Sequence, residues 1–501
     1  MRARRAWVLL PALLALACAT ATTAPPSVPF APPEAWASTA GPTVEGQEAP
    51  QAEDLAPWWQ EFADPRLDQL VAEALAQSPT LDAARARWTA AVEAARTAGA
   101  GARPQANLSL DGARRQQNFI GLPIPGAEGR VLSNTSTSLG LTLGAAWEID
   151  LWGRLAAGTL AAQVRGEAAA ADLAALQLSL VGQVAKAWFG WLEAEQQMAL
   201  AGESLASRRR TREQIESRYR LGLRGPLDLR LARTSEADAE AQLATRSQTA
   251  DRAARRLEVL VARYPSGRSL GGDRSQPPAG QPMAREATLP TLPPALAPTL
   301  PAELVTRRPD LAAAERRLAA SGLDAQGARR ALYPQLRLTA SAGRSSTELQ
   351  DLVDQDFSVW SLAAGLLQPL FQGGRLRAAV DVAEARRQEA AANYIATALN
   401  AFAEVEGALA AERFIDQQLE ALTAAAAEAL AARELAERRY LSGLADYLTV
   451  LESQRQATAS QSQLLAARRQ SLDNRVDLHL ALGGDHEPLP QPATDDAGKS
   501  P

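Results

Sequence analysis

The chain has 501 residues and 46% hydrophobic content, enough for substantial cores, while Lys plus Arg at 52 against Asp plus Glu at 57 leaves a formal net charge of −5. That balance gives no basic surface for nucleic acid, and lysine occurs only at Lys186 and Lys499. With one cysteine, Cys18, and two histidines, His479 and His486, the chain has no internal disulfide and no Cys/His zinc site. Gly483-Gly484 interrupts the stretch between the histidines, so a shared metal is not expected and both rings are expected to be solvated. No P-loop, dinucleotide-binding glycine pattern, nucleophile elbow or His-Glu-x-x-His occurs, so no catalytic residue, cofactor or metal is assigned and the chain is not expected to be an enzyme.

Residues 1–17 read as an export signal: Arg2, Arg4 and Arg5 precede an apolar run, Ala6 to Ala17, too short to span a bilayer. Cys18 directly after "LALA" resembles a bacterial lipobox, which makes Cys18 the lipidated first residue of the mature chain. Ala15-Leu16-Ala17 also satisfies the Ala-x-Ala rule, so ordinary cleavage stays open. Residues 18–56, rich in Pro, Ala and Thr, read as a flexible lipid-anchored tether.

From residue 57 the chain is written twice. Pro79 and Pro104 recur as Pro309 and Pro334, while Gly153-Arg154-Leu155 recurs as Gly374-Arg375-Leu376 and Tyr219-x-x-Gly222-Leu223 as Tyr440-x-x-Gly443-Leu444. The offset changes between Pro104 and Gly153, which places an insertion in an exposed connection, and the Gly- and Pro-rich stretch 118–130 is the site expected. Repeat 1 covers 57–263 and repeat 2 covers 302–484, each predicted as helix, two strands and a long helical hairpin. A Pro-rich linker, 264–301, separates them, and the tail 485–501 reads as disordered.

Within each repeat the strands show period two. Leu139, Leu141, Leu143, Ala145, Trp147 and Ile149 alternate with Ser138, Gly140, Thr142, Gly144 and Glu148. Leu336, Leu338, Ala340 and Ala342 alternate with Arg337, Thr339, Ser341 and Gly343, whereas "FSVWSLAAGLL" is assigned as a strand mainly from the duplication. A water-facing antiparallel sheet writes a similar pattern, but export together with a Gly/Ser/Thr face also suits a transmembrane barrel. Four strands cannot close a barrel, and open edges in lipid leave backbone groups unpaired, so several chains must pool their strands.

The strands give way to proline-free stretches rich in helix formers. One helix over 155–221 spans ~100 Å at ~1.5 Å per residue. Gly222 and Gly443 fall where such helices must reverse, with the next helix starting near Pro226 or Asp446. Arg307-Arg308-Pro309-Asp310 reads as a helix start. Trp58, Trp59, Trp147 and Trp152 suit either interior packing or membrane-interface belts.

From Trp58 to Gly484 the chain resembles the TolC-like outer-membrane efflux proteins, in particular NodT-type lipoproteins of tripartite pumps. The resemblance is carried by "WWQEFADPRLDQLVAEAL", "WEIDLWGRL", "RYRLGL", "LVTRRPDLAAAE", "LQPLFQGGRL", "RYLSGLADYLTVLESQR" and "LALGGD", in order. It implies a mostly α, mixed α+β membrane protein forming a homotrimer. Each chain then gives four strands to a twelve-stranded outer-membrane barrel continuous with a long helical barrel in the periplasm. The linker, tether and C-terminal segment would form an equatorial collar. Implied partners are a periplasmic adaptor, an inner-membrane RND-type transporter and outer-membrane lipid; the implied function is a passive exit duct for drugs or other small toxic compounds. The outlet of a type I protein secretion system is a second reading, and a trimeric periplasmic scaffold without a pore a third.

The resemblance assigns the periplasmic gate to Leu448, Glu452 and Arg455, with Glu452 standing where the family usually has Asp. Spacings of four and three put them on one helix face, where threefold symmetry makes a carboxylate ring; an ordinary solvated ion pair is the simpler reading. It assigns adaptor docking to Gly222, Leu223, Gly443 and Leu444, for which a plain helix-ending glycine is the alternative.

Overall fold

The structure is a computed structural model that describes residues 36–38, 57–119, 132–223, 225–267, 288–294, 296, 304 and 307–484. Cys18, His486 and most of the expected insertion at 118–130 lie outside the described residues.

Duplication is visible in the element lengths. Following a short 3-10 turn at Trp58–Phe62, α1 (Pro65–Gln77) and α2 (Pro79–Ala100) lead into β1 (Gln105–Phe119) and β2 (Leu132–Ile149). The first hairpin is α3 (Arg154–Arg220) with α4 (Pro226–Leu260). The second repeat runs α5 (Pro309–Arg330), β3 (Gln335–Ser346), β4 (Ser358–Leu367), α6 (Arg375–Leu441) and α7 (Tyr447–Ala481). α2 and α5 each have 22 residues, α3 and α6 each 67, and α4 and α7 each 35. Among these paired elements the strands differ, at 15 and 18 residues against 12 and 10.

The described residues fall into two compact units. The first, from Thr89–Ala168 and Ala314–Tyr394, contains the sheet. Its four strands are antiparallel in the order β1-β2-β3-β4, so β1 and β4 are edges. Leu108 faces Leu143, Leu143 faces Ala342, and Ala342 faces Trp360. Residues directly opposite share a face, so Leu110, Leu141, Leu338 and Leu362 lie on this apolar side as well. The other side carries Asn107, Gly144, Ser341 and Ser361 in one row, with 2.8 Å between the two serine hydroxyls. Leu108, Trp360 and Leu362 are exposed, so much of the apolar side of the sheet is uncovered among the described residues. Where strands become helices, the Trp147 indole donates to Ala102 O at 2.9 Å and the Trp152 indole to Pro334 O at 2.8 Å. Both rings stay part-exposed at the end of the apolar band, the place an interface belt takes.

The second unit holds the remaining described residues, and its largest core is built from leucines, valines and aromatics with a few alanines. By length and composition alone, α3 is apolar enough to cross a membrane. Yet Val181, Val184, Trp188, Phe189 and Leu192 pack in one core with Trp58 and Phe62, and the Trp188 indole donates to Asp64 at 2.7 Å. The expected helix start is present: Pro309 is the first residue of α5, and buried Arg308 donates to both oxygens of Asp310 and, at 2.6 Å, to Glu404. Within the stretch read as a flexible tether, Trp36 is buried among Leu304, Leu311 and Val405. Glu406 accepts the Ala37 and Ser38 amides at 2.7 and 2.9 Å, so this short piece is docked.

His479 corrects the expectation of two solvated histidines. Its ring is buried and stacks on Trp58 with centroids 4.9 Å apart, because position 479 falls on the inward face of α7. Burial first, and nearby Arg475 second, push it down to about 4. Burial pushes the Asp473 carboxyl, two turns earlier, up to about 6. The two act with opposite signs. Between pH 6.5 and 4 the unfolded chain protonates His479 while the folded chain does not, so stability falls with pH; between pH 6 and 4 the folded chain protonates Asp473 first, so stability rises as pH falls. Asp473→Asn removes the offset. On going from pH 7 to pH 4, this variant should lose more stability than the native chain, by on the order of 3 kcal/mol, read as the difference in apparent Tm by circular dichroism.

Candidate functional site

The predicted docking residues sit at two helix reversals built alike. In the first, the Leu223 amide donates to Arg218 O and the Gly222 amide to Tyr219 O, each at 2.9 Å. In the second, Leu444 donates to Arg439 O at 2.8 Å and Gly443 to Tyr440 O at 3.1 Å. This paired pattern ends a helix on a left-handed residue, and Gly222 and Gly443 have φ of +72° and +76°. A Cβ at either glycine would meet nothing within 4 Å, so the demand is on backbone conformation and not on space. The next residue in such a cap often packs back on its helix; here Leu223 and Leu444 are both 70% exposed. α4 then opens on Gly225 and Pro226, and α7 on Asp446, whose carboxylate accepts the Thr449 amide at 2.9 Å. That bond and the Thr449 hydroxyl hold Asp446 below the usual carboxylate range.

Beneath the tips the two hairpins share one small core of Ile215, Leu229, Ala232, Tyr440, Tyr447 and Val450. The Tyr440 and Tyr447 rings lie 5.8 Å apart, and burial pushes the Tyr447 phenol up to about 12. Arg218 donates to Leu441 O at 3.1 Å and lies over the Tyr440 ring, tying one tip to the other. On α3 and α4, Glu216 pairs with Arg212, Arg220 and Arg233. Sequence reasoning missed this shared core, although two tyrosines seven residues apart around Gly443 were its signal.

The three predicted gate residues lie on one side of α7. Tyr447, Val450 and Gln454 are buried, while Leu448 is exposed and Glu452 and Arg455 point outward beyond it. Arg455 holds Glu452 with two hydrogen bonds, Nε to Oε2 at 3.0 Å and Nη2 to Oε1 at 2.6 Å. These bonds keep the Glu452 carboxylate below its usual range, so the pair stays charged over the neutral region and weakens as pH falls into that depressed range. An exposed pair in water contributes little to stability, so what these charges do depends on what faces them. Glu452→Ala with Arg455→Ala should raise the single-channel conductance of the protein reconstituted in planar bilayers; unchanged conductance removes Glu452 and Arg455 from the gate.

Residues 70–263 and 300–484 match the family described as outer membrane efflux protein. A curated relative, the pyoverdine export outer membrane protein OpmQ of Pseudomonas putida, is 34% identical over 481 residues, 95% of this chain and 96% of its own. The toluene efflux pump outer membrane protein TtgF, also of Pseudomonas putida, is 32% identical over 429 residues, covering 85% of each chain. Among solved structures, the open state of the Neisseria gonorrhoeae MtrE outer membrane channel superposes with a TM-score of 0.76 at 29% identity, over 92% of this chain and 97% of that one.

Proposed function

From the premise that the chain belongs to the outer membrane efflux protein family, we propose how this member conducts its cargo. It is an outer-membrane exit duct of a tripartite efflux system and reaches into the periplasm. Three copies share one twelve-stranded barrel. The observation that carries this reading is the four-stranded sheet, apolar on one side and ending in two edges that have no partner strand among the described residues. Lipid offers unpaired edges no hydrogen bonds, and a sheet of four strands is too narrow to close on itself.

Cargo arrives from an inner-membrane RND-type transporter through a periplasmic adaptor. The adaptor's apolar surface meets Leu223 and Leu444, exposed beside glycines that let a partner backbone come close. Leu448 and the Glu452–Arg455 pair line the narrow periplasmic mouth, and relaxing that pair widens it. Lipid attached at Cys18 tethers each copy to the membrane. The duct moves cargo passively, driven by the transporter behind it.

Small toxic organic compounds are the cargo class, as the name of the toluene efflux relative suggests. The pyoverdine export relative, matching 95% of the chain, favours a second reading in which the cargo is a siderophore. Deleting the gene and testing tolerance to drugs, dyes and solvents separates the two. Lost tolerance, restored by the native gene, supports the first; unchanged tolerance with siderophore held inside the cells supports the second. A gene carrying Gly443→Trp should fail to complement although its product still folds in the outer membrane, because the indole blocks the approach to the tip and strains the left-handed residue. Full complementation by Gly443→Trp contradicts docking at this tip.

A further inference from the structure

The connection between β3 and β4, residues 347–357, is an ordered element folded onto one side of the sheet. Arg344 donates through Nη1 to Leu352 O at 3.0 Å. The Ser346 hydroxyl bonds Asp351 and accepts the Glu348 amide at 3.3 Å. Two 3-10 turns, Leu349–Val353 and Gln355–Phe357, fill the segment. Arg344 and Ser346 stand opposite Leu141 and Leu139, which places both anchoring side chains on the apolar side of the sheet. The first turn packs against β2 and β3 and buries Leu352 to 6% exposure, while Leu349 and Val353 are left 67% and 80% exposed.

Position along the strands decides what those exposed side chains meet. The apolar band on β2 runs from Ile149, beside the start of α3, to Leu139, ten positions or roughly 33 Å away along a strand, and about 25 Å in height once the strand tilt of a barrel is included. The turn caps the end of the band remote from the helices. On the barrel reading above, on which this inference rests, that end is the outer-leaflet end. The turn lies on the two inner strands, away from β1 and β4, whose edges the neighbouring copies occupy. Among the described residues nothing else covers it, and the surface it continues is the one that faces hydrocarbon on that reading.

We infer that residues 347–357 form an outward-folded flap whose Leu349 and Val353 are seated among the acyl chains of the outer leaflet, so that the duct grips the membrane outside its barrel wall. Asp351 and Asp354 alternate with the apolar residues and hold the flap shallow, because carboxylates do not enter hydrocarbon unpaired. The flap thus fixes the depth of the barrel from the outside, as an amphipathic surface element does.

The test uses the full chain; Cys18, the one native cysteine, is held in thioether linkage by its lipid on the reading above, so a newly introduced cysteine supplies the free thiol. Nitroxide labels at Val353→Cys, and separately at Leu362→Cys on the lipid band, are compared in vesicles of outer-membrane lipid. Collision with oxygen, which concentrates in acyl chains, is measured against collision with a water-soluble nickel chelate. The label at 353 should favour oxygen, as the label at 362 does, but at a shallower depth. A label at 353 that favours nickel places the flap in water, and one shielded from both reagents places it under a second copy; with 362 still favouring oxygen, either result overturns the flap alone. A label at 362 that favours nickel overturns the barrel reading and the flap with it. If Val353→Cys fails to insert, Leu349→Cys gives the same readout from the same turn.

Discussion

Two strand edges dictate the rest of this molecule. Each residue along the outward side of β1 or β4 presents backbone groups that water satisfies and hydrocarbon does not, and each unsatisfied group in lipid costs several kcal/mol. A sheet whose free side is leucine, alanine and tryptophan belongs in lipid, yet a lone four-stranded ribbon cannot stay there. On the proposed three-copy reading, joining β4 of one copy to β1 of the next would remove every edge at once and turn the Asn107, Gly144, Ser341 and Ser361 row toward a lumen.

The helices answer a different constraint. A pair of 67-residue helices has few long-range anchors in sequence, so packing must be fixed by small residues that allow close approach and by a few buried polar fasteners. Ala398, Ala401 and Val405 provide the first kind around Trp36. Arg308 and Arg475 provide the second, the former between Asp310 and Glu404, the latter paired with Glu412 and donating to Pro293 O at 3.0 Å. Buried guanidiniums in this arrangement are costly to strip of one partner, which ties the linker residue Pro293 to α7, while the segment around Trp36 is held by Glu406. The core at the tips is the smallest of the three described, drawn from both hairpins, so the tips are the part of the helical region least constrained by packing.

Much of this was legible in the sequence. The repeated Tyr-x-x-Gly-Leu fixed both reversals because only glycine takes a left-handed cap without strain, and the structure has the same paired hydrogen bonds at each. The alternation from Leu139 to Ile149 was legible as one apolar face because a strand pleat admits no other phase. β4 was legible mainly through its duplicate, since "FSVWSLAAGLL" alternates poorly on its own. His479 was misjudged because neighbouring glycines say nothing about which face of α7 a residue takes; that depends on Trp58, far away in the chain. Docking of Trp36 was equally hidden, since Pro- and Ala-rich composition carries no period from which a burial site can be read. Neither the Arg218 contact with Leu441 O nor the flap on Arg344 leaves a local pattern, because both join residues through tertiary geometry.

Sharing of one barrel by three copies is tested most directly by cryo-electron microscopy of the full-length protein in outer-membrane lipid nanodiscs. Particles with threefold symmetry, an unbroken wall of twelve strands and an axial channel entering the helical region are the predicted result. Single chains with a free four-stranded ribbon lying at the surface of the disc would contradict it.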